Sequence, residues 1–94
     1  MKIEKVLGKN RQKKVFLYAL STCAWCKMTK QFLKDNGIEF EYVDVDHVTE
    51  EESAKIKKDI LSKGGSLSFP TIIIDEKELI TGFRKDKIKE LLGI

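Results

Sequence analysis

Two cysteines separated by two residues, Cys23 and Cys26, are the side chains in this sequence best suited to do chemistry. In a reducing compartment such a pair is more often redox-active or metal-binding than a structural disulfide. The residues ahead of the pair contain no apolar stretch long enough for an export signal. We therefore expect a cytoplasmic setting, in which the spacing favours thiol–disulfide exchange or a metal site.

A metal site made by one chain is not expected. Structural zinc needs four ligands, and beyond the two cysteines the sequence offers only His47, in a polar stretch that we interpret as a solvated loop. Two chains bridging a metal or an iron–sulfur cluster through Cys23 would escape this objection. A dimeric cluster carrier therefore stays open as an alternative, and brown colour after anaerobic purification would indicate it.

The sequence around the cysteines predicts a junction between a strand and a helix. The apolar run Val15–Leu20 is typical of a buried central strand. It is followed by Ser21 and Thr22, which are common at helix starts. A helix is predicted over residues 23–36, and Gly37 is suited to end it in the left-handed conformation.

This junction would make Cys23 reactive. The free N–H groups and positive dipole end of a helix stabilise a thiolate, and Lys27 is expected to lower the cost of forming it further. Cys26 lies one helical turn later, where it could attack a mixed disulfide on Cys23 and release the reduced substrate. On the rest of the helix, Phe32 and Leu33 are predicted to face the core, and Lys27, Lys30 and Lys34 are predicted to face water.

A second helix begins at a clear signal. Thr49-Glu50-Glu51-Glu52 is a capping box, in which the threonine side chain and Glu52 each bond to the other's backbone. We expect this helix to place Ile56, Ile60 and Leu61 inward and to end at Gly64-Gly65. The other predicted elements are strands Ile38–Val43, Thr71–Ile74 and Glu78–Thr81, a turn at 75–77, and a helix over 85–92.

The predicted order is strand, helix, strand, helix, strand, strand, helix. A βαβ unit followed by a hairpin and a helix indicates an α/β fold with a mixed four-stranded sheet and three helices on its two faces. Its 94 residues suffice for one domain, which we place at residues 14–94. Residues 1–13 are interpreted as an arm or, through Ile3–Leu7, an extra strand.

The composition excludes several classes of function. With 41% hydrophobic and 35% charged residues, the chain is typical of a globular domain, and no run approaches the length of a membrane span. The net charge is only +3, and the cluster formed by Lys9, Arg11, Lys13 and Lys14 is interpreted as a solvated turn. Neither nucleic acid nor a membrane is expected as a partner.

Pro70, the only proline, directly precedes the predicted strand Thr71–Ile74. One interpretation is a proline tolerated at the first position of a strand. The other is a cis Phe69–Pro70 bond that leaves the Phe69 backbone free, beside the cysteines, to pair with a substrate backbone. The sequence by itself leaves both open.

Three segments together resemble the glutaredoxin family. They are Ser21-Thr-Cys-Ala-Trp-Cys-Lys27, Ser68-Phe-Pro-Thr71 and Thr81-Gly-Phe-Arg-Lys-Asp86, in the family's order. The resemblance implies a three-layer thioredoxin-like fold with sheet order 2-1-3-4, counted from the strand before the cysteines. It also implies that Cys23 is the nucleophile and that Pro70 is cis.

Departures from the typical family pattern point to one branch. Ala24 and Trp25 stand between the cysteines in place of Pro-Tyr, and Leu20 replaces a lysine that holds a glutathione carboxylate. Arg84 and Lys85 replace an acidic pair that holds glutathione's amino group, so they would repel it. The Gly-Phe-Arg-x-Asp pattern is similar to NrdH-type redoxins, which supply electrons to ribonucleotide reductase.

This resemblance implies a monomeric reductase of protein disulfides, such as that of ribonucleotide reductase, without a cofactor beyond its cysteines. Its electron donor would be a flavin or iron–sulfur disulfide reductase rather than glutathione, although a glutathione-dependent glutaredoxin remains the alternative. Trp25 and Phe83 are each open to interpretation as packing or partner-contacting aromatics. The predicted substrate-binding residues are Ala24, Trp25, Phe69, Pro70, Gly82, Phe83 and Arg84.

Overall fold

The computed structural model describes all 94 residues, which form five strands and three α-helices. In chain order the elements are β1 (Glu4–Val6), β2 (Val15–Ala19), α1 (Ala24–Asp35), β3 (Phe40–Asp44), a 3-10 helix (Val45–His47), α2 (Glu50–Ser62), β4 (Thr71–Ile74), β5 (Glu78–Thr81) and α3 (Lys85–Leu92). The bounds of β4, β5 and α3 agree with the prediction.

The five strands form one mixed sheet in the order β1-β3-β2-β4-β5. β2 runs parallel to β3 and antiparallel to β4, and β4 pairs with β5 as a hairpin. Counted from β2, the strand before the cysteines, the order β3-β2-β4-β5 is the predicted order 2-1-3-4, which is therefore confirmed. The open question about the N-terminal segment is answered as well, because β1 adds a fifth strand antiparallel to β3, with Glu4 opposite Tyr42.

The helices cover both faces of the sheet and bury two apolar clusters. On one face, α1 and α3 pack Leu33 and Ile88 against Leu17 and Ile72 of the central strands. On the other face, the single helix α2 covers a smaller cluster of six buried residues. The central strands are apolar on both sides because each side has its own helical layer.

The start of α2 is confirmed, but one of its predicted core residues is wrong. Thr49 and Glu52 form both hydrogen bonds of the capping box. Ile56 and Ile60 are buried, whereas Leu61 is 55% exposed. Residues four apart share one helix face, and the next residue lies about 100° further around, so Leu61 points away from the sheet.

The solvent-facing side of α1 also differs from the prediction at one position. Lys27 and Lys34 are exposed, but Lys30 is half-buried. Its Nζ lies 3.1 Å from Oδ1 of Asp44 and 4.1 Å from the centre of the Tyr42 ring. Both partners belong to β3, so this lysine joins α1 to the sheet instead of facing water. No helix of the structure is long and apolar enough to cross a bilayer.

Candidate active site

Cys23 itself caps the helix that follows β2. It adopts an extended backbone conformation, and its Sγ accepts a hydrogen bond from the Cys26 N–H at 3.2 Å. The first turn of α1 contains no acidic residue, so the positive end of the helix is not neutralised by a carboxylate within it. Ser21 and Thr22, which the sequence indicated as helix starters, instead form a turn before the cap.

Cys26 occupies a different environment from Cys23, and both are free thiols. Cys26 is 0% exposed and belongs to the larger apolar cluster, whereas Cys23 is partly exposed. Burial, followed by the hydrogen bond with Cys23, raises the pKa of Cys26 to about 12. The Leu20 N–H, which donates to Cys26 Sγ at 3.5 Å, acts in the opposite direction. The buried thiol therefore keeps its proton in the resting dithiol.

The cation that acts on this buried thiol is Lys30, one turn beyond Cys26. Its positive charge lowers the pKa of Cys26 and so opposes the effect of burial. Lys27 lies exposed on α1, and its predicted effect on Cys23 stays a prediction. The i to i+4 spacing from Cys26 was the signal in the sequence that would have found Lys30.

The proline loop lies at the same end of the sheet as the cysteines. The Phe69–Pro70 bond is cis, as the resemblance implied, and Pro70 is buried while Phe69 is half-buried. Gly82, at φ 86°, donates its N–H to the Pro70 carbonyl at 2.7 Å. A left-handed residue is needed here, which favours glycine. The β4–β5 hairpin therefore brings the Phe69–Pro70 and Gly82 segments together at its open end.

The aromatic residues next to the cysteines line a groove of about 750 Å³ between α1 and α3. We call it the aromatic groove; it is formed by Trp25, Met28, Phe83, Arg84, Lys85 and Lys87, with two acidic residues of α3. The Trp25 and Phe83 ring centres are 6.2 Å apart, and Trp25 is 59% exposed. Trp25 thus offers most of its surface to a partner while one side contacts Phe83.

The positive charges of this groove are only weakly compensated. Arg84 is exposed, and its side chain makes no hydrogen bond or ion pair within the chain. Lys85 lies over the Phe83 ring at 5.6 Å and has no carboxylate partner, and Lys87 reaches Glu90 only at 4.0 Å. The structure thus gathers Trp25, Phe83 and Arg84 in one groove, with Ala24 exposed beside Trp25.

Two other contributors to the site escaped the sequence interpretation. Met28, 46% exposed, lines the aromatic groove on the same helix as the cysteines. Asp46, from the 3-10 helix, accepts two hydrogen bonds from Ser21, just ahead of the redox motif. Nothing local in the sequence indicated Asp46. No group of three or more His, Cys, Asp or Glu side chains is arranged to hold a metal ion.

Comparison with known proteins places this arrangement in a family. A family model described as glutaredoxin matches residues 15–79. An uncharacterized glutaredoxin-like 8.6 kDa protein in the rubredoxin operon of Clostridium pasteurianum is 34% identical, over 81% of this chain and 93% of that protein.

Solved structures agree with the sequence matches. The glutaredoxin of Methanosarcina mazei is 40% identical with a TM-score of 0.88, covering 100% of this chain and 90% of that one. Methanoredoxin of Methanosarcina acetivorans is 46% identical with a TM-score of 0.80, covering 86% and 85%. NrdH-redoxin of Escherichia coli, a glutaredoxin-like protein, is 29% identical with a TM-score of 0.65, covering 83% and 93%. The chain belongs to the glutaredoxin family of the thioredoxin-like superfamily, a family of thiol–disulfide oxidoreductases.

Proposed function

We propose that this protein reduces disulfides of other proteins in the cytoplasm, as a monomer whose only redox group is the Cys23–Cys26 pair. The observation that carries the proposal is the asymmetry of the two thiols. Cys23 is partly exposed at the helix cap, while Cys26 is fully buried one turn behind it. An attacking thiol must reach the substrate, whereas a resolving thiol needs only to reach Cys23.

In the first step, the Cys23 thiolate attacks one sulfur of the client disulfide, and the other client sulfur leaves as a thiolate that takes up a proton. Cys26 then loses its proton and attacks Cys23 Sγ, which releases the second client thiolate. Two electrons pass to the client, its two thiolates take up the proton from Cys26 and one proton from water, and a Cys23–Cys26 disulfide remains. Because burial raises the pKa of Cys26 to about 12, Cys26 is protonated and poorly nucleophilic in the resting dithiol, so Cys23 is the thiol that attacks the client first.

The aromatic groove supports a protein as the client. An exposed tryptophan and methionine beside a reactive thiol offer apolar area that a small thiol would not use. Among the relatives, the NrdH-redoxin of Escherichia coli has a thioredoxin-like activity profile. Together with the Gly82–Asp86 pattern, this makes the disulfide of ribonucleotide reductase the first client to test.

The charges near the cysteines argue against glutathione as the electron donor. Where typical glutaredoxins hold the glutathione amino group with acids, this chain carries Arg84 and Lys85, and neither is neutralised by a carboxylate partner. Leu20, which stands where a carboxylate-binding lysine is typical, instead packs against the smaller apolar cluster. We therefore assign re-reduction to a flavin or iron–sulfur disulfide reductase.

A coupled assay with two donors tests this assignment. The oxidised protein is supplied either with glutathione and glutathione reductase or with a thioredoxin-reductase-type enzyme, and reduction of a protein disulfide is followed. We expect sustained turnover only with the protein reductase. Efficient turnover with glutathione would overturn the choice of donor, and a Cys23→Ser control reports any reduction that does not involve the redox pair.

A further inference from the structure

A four-residue turn, Leu20-Ser21-Thr22-Cys23, connects β2 to α1. It contains one cysteine of the redox pair, Cys23, and hydrogen-bonds to the other, Cys26. The Cys23 N–H donates to the Leu20 carbonyl at 3.1 Å and closes the turn. The Leu20 N–H donates to Cys26 Sγ at 3.5 Å. Any movement of this turn therefore displaces the cap residue Cys23 and the donor to Cys26 together.

Asp46 is the only side chain outside the cysteine pair that hydrogen-bonds to this turn. Its Oδ1 accepts from the Ser21 N–H at 2.9 Å, and its Oδ2 accepts from the Ser21 hydroxyl at 2.5 Å. These hydrogen bonds lower the pKa of Asp46 below its ordinary value, so the carboxylate is ionised at neutral pH. Hydrogen bonds to an ionised acceptor are stronger than neutral ones.

The element that carries Asp46 is itself fixed. Its neighbour Val45 is buried in the smaller apolar cluster, together with Tyr18 and Val43 of the central strands. On the other side, Nε2 of the exposed His47 lies 3.5 Å from Asp46 Oδ2. The backbone next to Asp46 is therefore anchored in the core through Val45, and the exposed Asp46 carboxylate reaches the turn, 25 residues away in sequence.

We propose that Asp46 is a positioning residue for the redox pair: through Ser21 it holds the Leu20–Cys23 turn so that Cys23 stays at the cap of α1. The role concerns the reactivity of Cys23, and it rests on the proposed function only in taking Cys23 as the nucleophile. Preorganised N–H donors stabilise a thiolate without reorganisation when it forms. Release of the turn would loosen that arrangement.

If Asp46 acted on Cys23 only through its charge, removing it would change the ease of deprotonating Cys23 in the opposite direction. The negative charge of Asp46 opposes a nearby thiolate, so its removal alone would make Cys23 deprotonate more readily. Loss of the hydrogen bonds would instead make the thiolate harder to form. Ser21→Ala separates the two, because it removes one hydrogen bond to Asp46 while the carboxylate keeps its charge.

The test is the rate at which iodoacetamide alkylates Cys23 as a function of pH, with the labelled residue identified by mass spectrometry. It needs neither client nor electron donor, so it fails or succeeds independently of the proposed function. For Ser21→Ala we expect the midpoint of the profile to move to higher pH and the rate below it to fall roughly fivefold, the scale of one net hydrogen bond. Asp46→Ala removes both hydrogen bonds together with the charge, and we expect the midpoint to move in the same direction, because the loss of two hydrogen bonds outweighs the removed charge.

Asp75→Asn is the matched control. Asp75 also accepts a hydrogen bond from a backbone N–H, that of Lys14 at 2.8 Å, but at the opposite end of β2. The pH profile of Cys23 alkylation in Asp75→Asn should coincide with that of the unmodified protein. The proposal is overturned if Ser21→Ala leaves the profile unchanged, if Asp46→Ala moves the midpoint to lower pH, or if all three variants lose thermal stability without any change in the profile.

Discussion

Two grooves on opposite faces of the sheet differ in how far their charged residues are ion-paired. In the aromatic groove, Arg84 and Lys85 have no carboxylate partner and Trp25 is largely exposed. The groove on the α2 face, of about 400 Å³, also carries several charged residues. There, however, Lys14 pairs with Glu76 at 2.9 Å, and Lys63 pairs with Asp59.

In the groove on the α2 face, which we call the paired groove, the polar side chains form hydrogen bonds and ion pairs with one another. The Tyr18 hydroxyl donates to Asp59 at 3.0 Å, next to the lysine pair. A partner would have to break these contacts before it could use them. In the aromatic groove Arg84 and Lys85 have no carboxylate partner to give up, so their charge and the exposed surface of Trp25 are available for binding. The difference supports the proposal that the aromatic groove binds the client, whereas the paired groove contributes to stability.

The largest effect is expected at the cysteines, beside the aromatic groove. Cys23→Ser should abolish disulfide reduction, because serine is not a nucleophile in this exchange. Cys26→Ser should instead accumulate a mixed disulfide between Cys23 and its client, visible by non-reducing electrophoresis and mass spectrometry. Activity retained by Cys23→Ser, or a trapped adduct on Cys26, would show that the two roles are assigned wrongly.

Truncation of Trp25 tests whether the aromatic groove recognises the client. Trp25→Ala should lower kcat/KM for a protein disulfide by about tenfold, the effect typical of an interfacial aromatic residue that supplies 1–2 kcal/mol. Turnover of a small disulfide should change little. Leu61→Ala is the matched control, because Leu61 is 55% exposed but lies on α2. Equal effects of both variants would remove the distinction between the two faces.

Charge reversal in the aromatic groove should change the electron donor. The double variant Arg84→Glu, Lys85→Glu places acids where the glutathione amino group would lie, and we expect glutathione-supported turnover to rise severalfold, since one ion pair contributes up to about 1 kcal/mol. Lys57→Glu, Lys58→Glu makes the same charge change on exposed positions of α2. If the α2 variant raises glutathione turnover equally, the effect comes from net charge and the groove has no special role.

Most of the fold followed from local signals; the error at Leu61 concerned which face of a helix is buried, and the error at Lys30 came from a contact with a distant segment. The capping box at Thr49 and the hairpin β4–β5 depend on neighbouring residues, so the sequence predicted them correctly. Lys30 was predicted to face solvent because of its charge, but it forms an ion pair with Asp44, which belongs to a different element. β1 has only three residues and forms by pairing with β3, which no local pattern could decide.

The residues of the candidate site also divide into those that short motifs predict and one that only the fold brings to the site. The cysteine pair lies in a short motif that the sequence identified, whereas the cis bond at Pro70 was implied only by the family resemblance. Asp46 was missed because its contact with Ser21 spans 25 residues. That contact depends on how the 3-10 helix lies beside the turn between β2 and α1, which only the folded chain defines.

The smallest predicted effect concerns the paired groove and changes stability rather than activity. Tyr18→Phe removes the hydrogen bond to Asp59 and should lower the free energy of unfolding by about 1 kcal/mol, with disulfide reduction unchanged. Burial, followed by the hydrogen bond to Asp59, raises the pKa of Tyr18 from 10.0 to about 12. The folded state therefore favours the neutral phenol, and this contribution is complete below pH 10 and is lost as the pH rises towards 12.

Urea unfolding of both proteins between pH 8 and pH 12 measures this contribution as the difference between them. Other groups titrate in that range, but they are common to the two proteins and cancel in the difference. We expect the difference to shrink as the unfolded tyrosine ionises. A constant difference would mean that the hydroxyl does not contribute through its ionisation. Loss of disulfide reduction in Tyr18→Phe at unchanged stability would assign the paired groove a part in function and break the comparison between the two faces.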